Sequence, residues 1–129
     1  MKMLTLAAAL AATSLSAALP AQETSAPAPP PQLTLEQATL LRCSAAFAIV
    51  AAEQDRQTEA ALAFPPLKER GREYFVRSGA RLMDELQLSR EGVQALFAAE
   101  AEKLQPSAGE RRVDAVMEPC LLSLEASGL

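Results

Sequence analysis

The sequence predicts an all-α protein, a small bundle of about four helices in which one disulfide links the first helix to the last. Four successive segments carry apolar residues three and four positions apart, which is the spacing of one helix face, and no strand pattern interrupts them. The two cysteines, Cys43 and Cys120, lie 77 positions apart on the first and the last of these apolar faces. A bond between them closes nearly the whole foldable part of the chain into one loop.

The first residues have the layout of a secretory signal peptide. A short basic opening that contains Lys2 precedes an uncharged stretch rich in Ala and Leu, Leu4 to Leu19. We expect cleavage after Ala21, with Ala18 as the alternative, so that residues 1–21 form the signal peptide. The stretch is shorter than the roughly 20 residues that span a hydrocarbon core, which disfavours a retained transmembrane anchor. The mature protein is therefore expected to be periplasmic or secreted.

The mature chain is predicted to be mildly acidic. The full chain of 129 residues carries 12 basic and 16 acidic residues and no histidine. Removal of the signal peptide takes away Lys2 and no acid, which leaves a formal charge of −5. A nucleic-acid partner is not expected, because phosphate binding relies on clustered Lys and Arg in excess. Stable membrane insertion after cleavage is not expected either, and residues 22–129 are enough for one domain with a single core.

A proline-rich segment, residues 22–33, separates the predicted cleavage site from the helices. Its prolines donate no backbone hydrogen bond, and its side chains offer little to bury, so we expect a disordered tether. Pro27 to Pro31 would also suit a proline-binding partner, although a simple spacer is the favoured interpretation. The helical domain then covers residues 34–127.

The first two helices have clear starting signals. Thr34 and Gln37 match a capping box, in which each side chain accepts a hydrogen bond from the other residue's backbone N–H. The helix that follows is apolar almost all round in its middle, so we expect it to be the central helix of the core. The second helix begins at Pro66, since a proline in the first turn lacks only an N–H that would be unpaired. Gly71 and Gly79 lie in this helix and are expected to permit close helix packing.

Two further helices complete the domain. Ser89 is the predicted N-cap of the third helix, which stops before Pro106. Ser107 and Glu110 match a second capping box, at the start of the fourth helix. Pro119 lies inside that helix and is expected to kink or break it just before the second cysteine, because proline removes one helical hydrogen bond. The inward-facing residues predicted for the four helices are, in order, Leu40, Cys43, Phe47 and Val50, then Leu67, Gly71, Tyr74, Phe75, Ser78, Leu82 and Leu86, then Val93, Leu96, Phe97, Ala101 and Leu104, then Val113, Val116, Met117, Cys120, Leu121 and Leu124.

A disulfide between Cys43 and Cys120 fits this arrangement. Both residues lie on inward faces, and the bond requires the first and last helices to be neighbours, with Cα atoms within roughly 7 Å. Closing a loop of this size removes on the order of 4 to 5 kcal/mol of unfolded-state entropy in the chain-entropy model. Two reduced thiols or a redox-active pair are the alternatives, but no Cys-x-x-Cys spacing is present to favour a reactive thiolate.

The sequence carries no recognisable catalytic motif. Without histidine, the chain lacks the commonest general base at neutral pH and every Ser-His or Cys-His nucleophile pair, and histidine-based metal sites are excluded. Neighbouring carboxylates such as Glu100 and Glu102 are expected on solvated helix faces. No glycine-rich phosphate loop is present. We therefore predict a protein that is not an enzyme and that has no catalytic residue, metal ligand or cofactor.

One stretch, Lys68 to Arg90, is rich in basic residues. The candidate binding face on its helix comprises Arg70, Tyr74, Arg77 and Arg81. These side chains would suit an acidic protein or a small anionic ligand. However, Glu73 and Glu85 lie four positions from Arg77 and Arg81, a spacing that forms ion pairs along a solvent-facing helix. The ion-paired surface is the favoured interpretation, and the binding face is the alternative.

Three runs, Arg42 to Phe47, Gly71 to Arg77 and Met117 to Leu121, together resemble small, uncharacterised exported proteins of Gram-negative bacteria. The resemblance covers about residues 34–126. It implies a periplasmic location and a small helical fold, and it carries over no catalytic residue. A looser likeness, in layout only, is to periplasmic acid-stress chaperones, which are also small, helical and closed by one disulfide.

Three functions are compatible with these features. The first, which we favour, is a non-catalytic periplasmic binding or interaction module whose partner is an unknown protein or a small anionic ligand. The second is an acid-responsive holdase chaperone, in which protonation of the carboxylates leaves the chain strongly positive and loosens the bundle. The third and least favoured is an enzyme that uses carboxylates and arginine.

Overall fold

The computed structural model describes residues 29–129, and this part of the chain is helical, with no strand. The five helices are α1 (Leu35–Asp55), α2 (Glu59–Leu62), α3 (Lys68–Leu86), α4 (Arg90–Leu104) and α5 (Asp114–Ala126). The predicted all-α fold is confirmed, and α2 is a single turn that the sequence pattern does not predict. The predicted signal peptide, residues 1–21, and residues 22–28 of the predicted tether lie outside the described residues.

Helix α1 is the central helix of the bundle, as predicted, and it contacts each of the other four helices. It begins with the predicted capping box: the Gln37 N–H donates to Thr34 Oγ1 at 3.2 Å, and the Thr34 N–H donates to Gln37 Oε1 at 2.9 Å. The consecutive residues 43–47 are all buried. Because a helical turn has about 3.6 residues, this part of α1 is covered on every side.

Among the described helices, α1 has the length and composition that would suit a membrane crossing, with a mean hydropathy of 1.3 over an 18-residue window. Of that window, 44% is buried inside the fold. Phe47 and Val50 in particular have no exposed surface. The core helix of a bundle passes the same test, so the central position of α1 accounts for its apolar composition.

Two hydrophobic clusters make up the core of the described chain. The larger one surrounds Phe47, whose ring meets the Tyr74 ring edge to face, with 5.2 Å between centroids. Met117 and Leu124 of α5 are fully buried in the same cluster. The smaller cluster joins α1, α3 and α4, and its buried residues are Leu41, Leu82, Val93 and Phe97. The inward faces predicted from the apolar spacing are therefore confirmed.

The disulfide between Cys43 and Cys120 joins α1 to α5, as predicted. The two Cα atoms are 5.1 Å apart, and both residues are at most 2% exposed within the larger cluster. Because the bonded residues are 77 positions apart, the bond removes about 4.5 kcal/mol of unfolded-state entropy in the chain-entropy model. Neither cysteine is a free thiol. The bond therefore acts on stability, and it holds α5 beside α1.

The predicted start of the last helix is wrong, since α5 begins at Asp114. Ser107 and Glu110 instead exchange two backbone hydrogen bonds, at 3.2 and 3.1 Å, across a two-residue turn. Ala108 and Gly109 in this turn both have positive φ, 54° and 83°, as a type I′ hairpin turn requires. Ser107 and Glu110 thus have the spacing of a capping box but flank a turn. Gly109 favours this turn because glycine adopts the left-handed conformation at no steric cost.

At two prolines the structure differs from the prediction. Helix α3 begins at Lys68 rather than at Pro66, with Leu67 as its N-cap. Helix α5 is continuous through Pro119 and does not break there. Pro119 and Ala115 are both exposed. The Ala115 carbonyl, which loses its helical donor to the proline, therefore faces solvent and can bond to water.

The Gln54 side chain organises the connection between α1 and α3. Its Nε2 lies 3.1, 3.2 and 3.0 Å from the carbonyl oxygens of Ala61, Phe64 and Pro65, which share its two hydrogens. Its Oε1 accepts the Leu67 N–H at 3.1 Å. One amide thus bonds four backbone groups of this irregular segment, and it fixes the point at which α3 starts.

Alanine substitutions at the two α3 glycines are expected to have opposite effects on stability. This is so even though alanine favours the helical state over glycine by about 1 kcal/mol inside a helix. At Gly79 the added Cβ would lie 3.5 Å from the Phe97 ring, an ordinary contact. Gly79→Ala should therefore raise the free energy of unfolding by about 0.5 to 1 kcal/mol. At Gly71 the added Cβ would lie only 3.1 Å from Phe47 Cβ, which the central helix holds in place. Gly71→Ala should therefore lower the free energy of unfolding by about 1 kcal/mol.

Urea denaturation of both variants beside wild type measures these values. A stabilising effect of Gly71→Ala would contradict the close packing of α3 on α1 at Phe47.

Candidate functional site

An open apolar groove lies where α1, α3 and α4 meet. It consists of three adjoining depressions with volumes of about 450, 420 and 230 Å³, all of which reach the Phe75 side chain. Phe75 stacks on Phe97 of α4 with 4.3 Å between ring centroids, and this pair forms the middle of the groove. The apolar lining includes Ala48, Ile49 and Ala52 of α1, Phe75, Val76, Ala80 and Met83 of α3, and Phe97, Ala98 and Ala101 of α4.

The groove exists because the covering of α1 is incomplete on one side. The apolar positions of α1 continue along this side as Ala45, Ala48 and Ala52, but only Ala45 is buried and the other two are exposed. Helices α3 and α4 are joined by a short turn and both pack on α1, whereas the backbones of α4 and α5 do not approach each other closely. Small side chains on α1 and the separation of its neighbours thus leave an apolar surface open to solvent.

The cations around the groove have no carboxylate partners among the described residues. Arg56, Arg72 and Arg90 each line one of the three depressions. The cations that do form ion pairs are Arg42, Lys68, Arg70, Arg77, Arg81, Lys103 and Arg111. Glu53 is the acidic residue of the lining, and its carboxylate pairs with Arg111. A protein of net negative charge therefore presents an apolar groove with a basic rim.

The candidate binding face predicted on α3 lies on another side of that helix, turned toward α5. Arg70 pairs with Glu125 at 2.7 Å and also donates to the Leu129 carbonyl. Tyr74 is 3% exposed, and its hydroxyl lies 2.7 Å from Ser123 Oγ. These contacts fasten α3 to α5.

Arg77 and Arg81 continue this face and are also ion-paired. Arg77 bonds to Glu73 at 2.8 Å, while Arg81 bonds to Glu36 at 2.8 Å and to Glu85 at 2.5 Å. The hydrogen bonds to Glu36 and Glu85 raise the pKa of Arg81. Both arginines border a small depression of about 180 Å³. Since each guanidinium already has a carboxylate partner, a binding role for this face stays a prediction.

Glu100 is a buried carboxylate, 4% exposed, so the solvated position predicted for it is wrong. Its Oε1 accepts from Arg42 Nε at 3.1 Å, and its Oε2 accepts from Lys103 Nζ at 2.9 Å. Burial acts to raise the pKa of Glu100, but the bonds from Lys103 and Arg42 outweigh it, and the pKa lies below its ordinary value of 4.5. Glu102 is exposed, as predicted.

A second cleft, of about 380 Å³, adjoins the Glu100 carboxylate. Pro30, Pro31 and Leu33 form part of its lining, so the end of the predicted tether lies against the bundle, and Leu33 packs on the smaller core cluster. A carboxylate that two cations hold ionised is a weak base. The cleft therefore gives no support to acid–base chemistry at Glu100.

The groove residues do not belong to the candidate site predicted from the sequence. Phe75 and Phe97 are predicted only as inward-facing residues, and helical spacing cannot tell a covered face from an open one. The spacing of charges gives no signal for the groove either. Glu69 lies three positions before Arg72, a spacing that also allows an ion pair, although no such pair forms among the described residues.

Neither a metal site nor a known relative assigns a function. Within residues 29–129, no group of three or more His, Cys, Asp or Glu side chains is placed to hold a metal ion. No protein-family model matches the chain, and no curated protein or solved structure is significantly similar to it. The apolar groove with its basic rim is the candidate site that the described residues offer.

Glu100→Gln is expected to lower stability near neutral pH and to have little effect in acid. Because folding lowers the pKa of Glu100, its contribution to stability is present above the unfolded value of about 4.5 and is lost as the pH falls through the folded value. The loss at neutral pH should be about 1 kcal/mol, since the side chains of Arg42 and Lys103 are 53% and 69% exposed and solvent screens the pair.

The free energy of unfolding from urea titrations between about pH 7 and pH 3 measures this difference. Glu102→Gln, an exposed carboxylate on the same helix, is the matched control. A difference between wild type and Glu100→Gln that does not change with pH would contradict the assignment.

Proposed function

We propose that this protein is an exported, non-catalytic binding module that holds the apolar face of an anionic partner in the groove between α1, α3 and α4. The observation that carries the proposal is the continuous apolar surface around the stacked Phe75 and Phe97 rings. Val76 in its wall is 58% exposed. Contiguous apolar patches with a polar rim often mark sites of interaction on monomeric proteins.

Export is the second part of this proposal. The leader layout of residues 1–21 supports it, and so does the buried disulfide, since such bonds persist in oxidising compartments such as the periplasm. Four ion pairs among the described residues join different helices, which supports a structural rather than catalytic use of these charged residues.

The groove is a better candidate than the arginine face of α3. Binding an anion at Arg70, Arg77 or Arg81 would require the guanidinium to leave a carboxylate that it already contacts. Tyr74 is buried and bonded to Ser123. The groove arginines have no such internal competitor among the described residues.

Ala48→Phe should weaken the binding of a neutral apolar probe, N-phenyl-1-naphthylamine, by about tenfold. Ala48 is exposed and borders two of the three depressions, so a phenyl ring there fills the groove without entering the core. Fluorescence titration of the full oxidised chain measures the dissociation constant. Ala115→Phe, at an exposed position of α5, is the matched control and should bind like wild type. Absence of saturable binding by wild type, or equal affinities of the two variants, would refute the proposal.

A second candidate function, an acid-responsive holdase, is favoured by the carboxylates that join α1 to its neighbours. Glu100 links α4 to α1 through Arg42. Glu85 links α3 to α1 through Gln37, and hydrogen bonds from Gln37 and Arg81 lower the pKa of Glu85. Because folding lowers the pKa of both carboxylates, these links are lost as the pH falls below about 4.5. Loosened α3 and α4 would then expose the smaller cluster while the disulfide retains α5.

Light scattering of an aggregating client protein tests this candidate. The oxidised chain should suppress aggregation at about pH 3 and leave it unchanged at about pH 7. Unchanged aggregation at both values would rule the holdase out, and it would leave binding in the groove at neutral pH unaffected.

A further inference from the structure

We infer that the partner held in the groove is an amphipathic α-helix of another protein, with acidic residues toward both of its ends. This inference rests on the proposed function and specifies the chemistry of the partner. Three features of the groove support it: the sign of the charges at its rim, the distance between them and the size of the side chains that line it.

The rim charges call for an anionic partner. Arg56, Arg72 and Arg90 have no carboxylate partner among the described residues. Glu53 of α1 lines the groove, but its carboxylate is bonded to Arg111. An apolar partner without acidic residues would remove the water from these guanidinium groups and leave their hydrogen bonds unmade, which costs free energy. A partner with carboxylates at matching positions gains charge-assisted hydrogen bonds instead.

The cations lie at both ends of the groove. Arg72 and Met83 share one face of α3, and their separation in sequence corresponds to roughly 16 Å along the helix axis. Arg90 lines the same depression as Met83, at the far end. Arg56 lies at the near end, because the Lys68–Asp55 ion pair, at 3.2 Å, brings the end of α1 beside the start of α3. A single-chain lipid carries its charge at one end, whereas a helix of about eleven residues spans this distance with acids at both ends.

The lining admits a helix backbone. Ala48, Ala52 and Ala98 are exposed, and such small side chains allow an incoming helix to approach closely. Helices α1, α3 and α4 supply three sides of a four-helix arrangement, and an amphipathic helix laid in the groove supplies the fourth. A small ligand would remain largely uncovered there, although protein sites commonly bury 70–90% of such a ligand's surface.

Synthetic peptides of about 14 residues test this inference. Two peptides share one apolar face with helical spacing and carry either Glu or Lys at both ends, and fluorescence anisotropy of the labelled peptides measures their binding to the full oxidised chain. The Glu-ended peptide should bind at least about tenfold more tightly than the Lys-ended one. The double substitution Arg72→Glu with Arg90→Glu should reverse this preference. Arg112→Glu, at an exposed arginine outside the groove, should leave it unchanged.

Two results would overturn the inference of an amphipathic helix with acidic ends. One is equal binding of the Glu-ended and Lys-ended peptides, and the other is displacement of N-phenyl-1-naphthylamine by dodecanoate while neither peptide binds. In both cases the neutral probe would still bind, so the groove would remain a binding site with a different occupant. Failure of the probe itself to bind wild type would refute the proposed function as well.

Discussion

Helix α1 is apolar around almost its whole circumference, and a helix of this kind must be covered on all sides to be stable in water. The rest of the fold follows from this constraint. Helices α3, α4 and α5 pack around α1, and at residues 43–47 the covering is complete. One turn further along, Ala48 and Ala52 are exposed, because no helix lies over that side. The groove is the part of α1 at which this covering is missing.

The covering helices are held on α1 by two different kinds of interaction. Helix α5 is attached covalently through Cys43 and Cys120, and the bond is buried. Helices α3 and α4 are attached through apolar contacts and through carboxylates, Glu85 on α3 and Glu100 on α4. The first attachment does not titrate, whereas the second includes two carboxylates whose pKa folding lowers. We therefore expect acid to weaken the attachment of α3 and α4 to α1 while the bond to α5 remains.

Much of the fold can be predicted from the sequence because local signals and apolar spacing agree. The Thr34 capping box, the Ser89 N-cap and the disulfide are all present in the structure. The start of α5 is predicted wrongly because Ser107 and Glu110 suit a turn as well as a helix cap. A turn around Ala-Gly makes its own backbone hydrogen bonds, and spacing alone cannot separate the two.

The candidate site is predicted less well, for a reason that Glu100 illustrates. This residue lies three positions after Phe97 and four before Leu104, on the inward face of α4, but a charged residue type suggests a solvated position unless its partners are known. Its partner Arg42 comes from another helix. The groove depends in the same way on which side of α1 remains uncovered, and only the packing of separate helices decides that.

In the proposed function, the partner binds on the uncovered side of α1. Amide chemical-shift mapping of the nitrogen-15-labelled oxidised chain, titrated with N-phenyl-1-naphthylamine, tests it most directly. If the probe occupies the groove, the largest shifts should occur at Ala48, Ala52 and Ala98. Shifts confined to the arginine face of α3 and to its contact with Ser123 would contradict it.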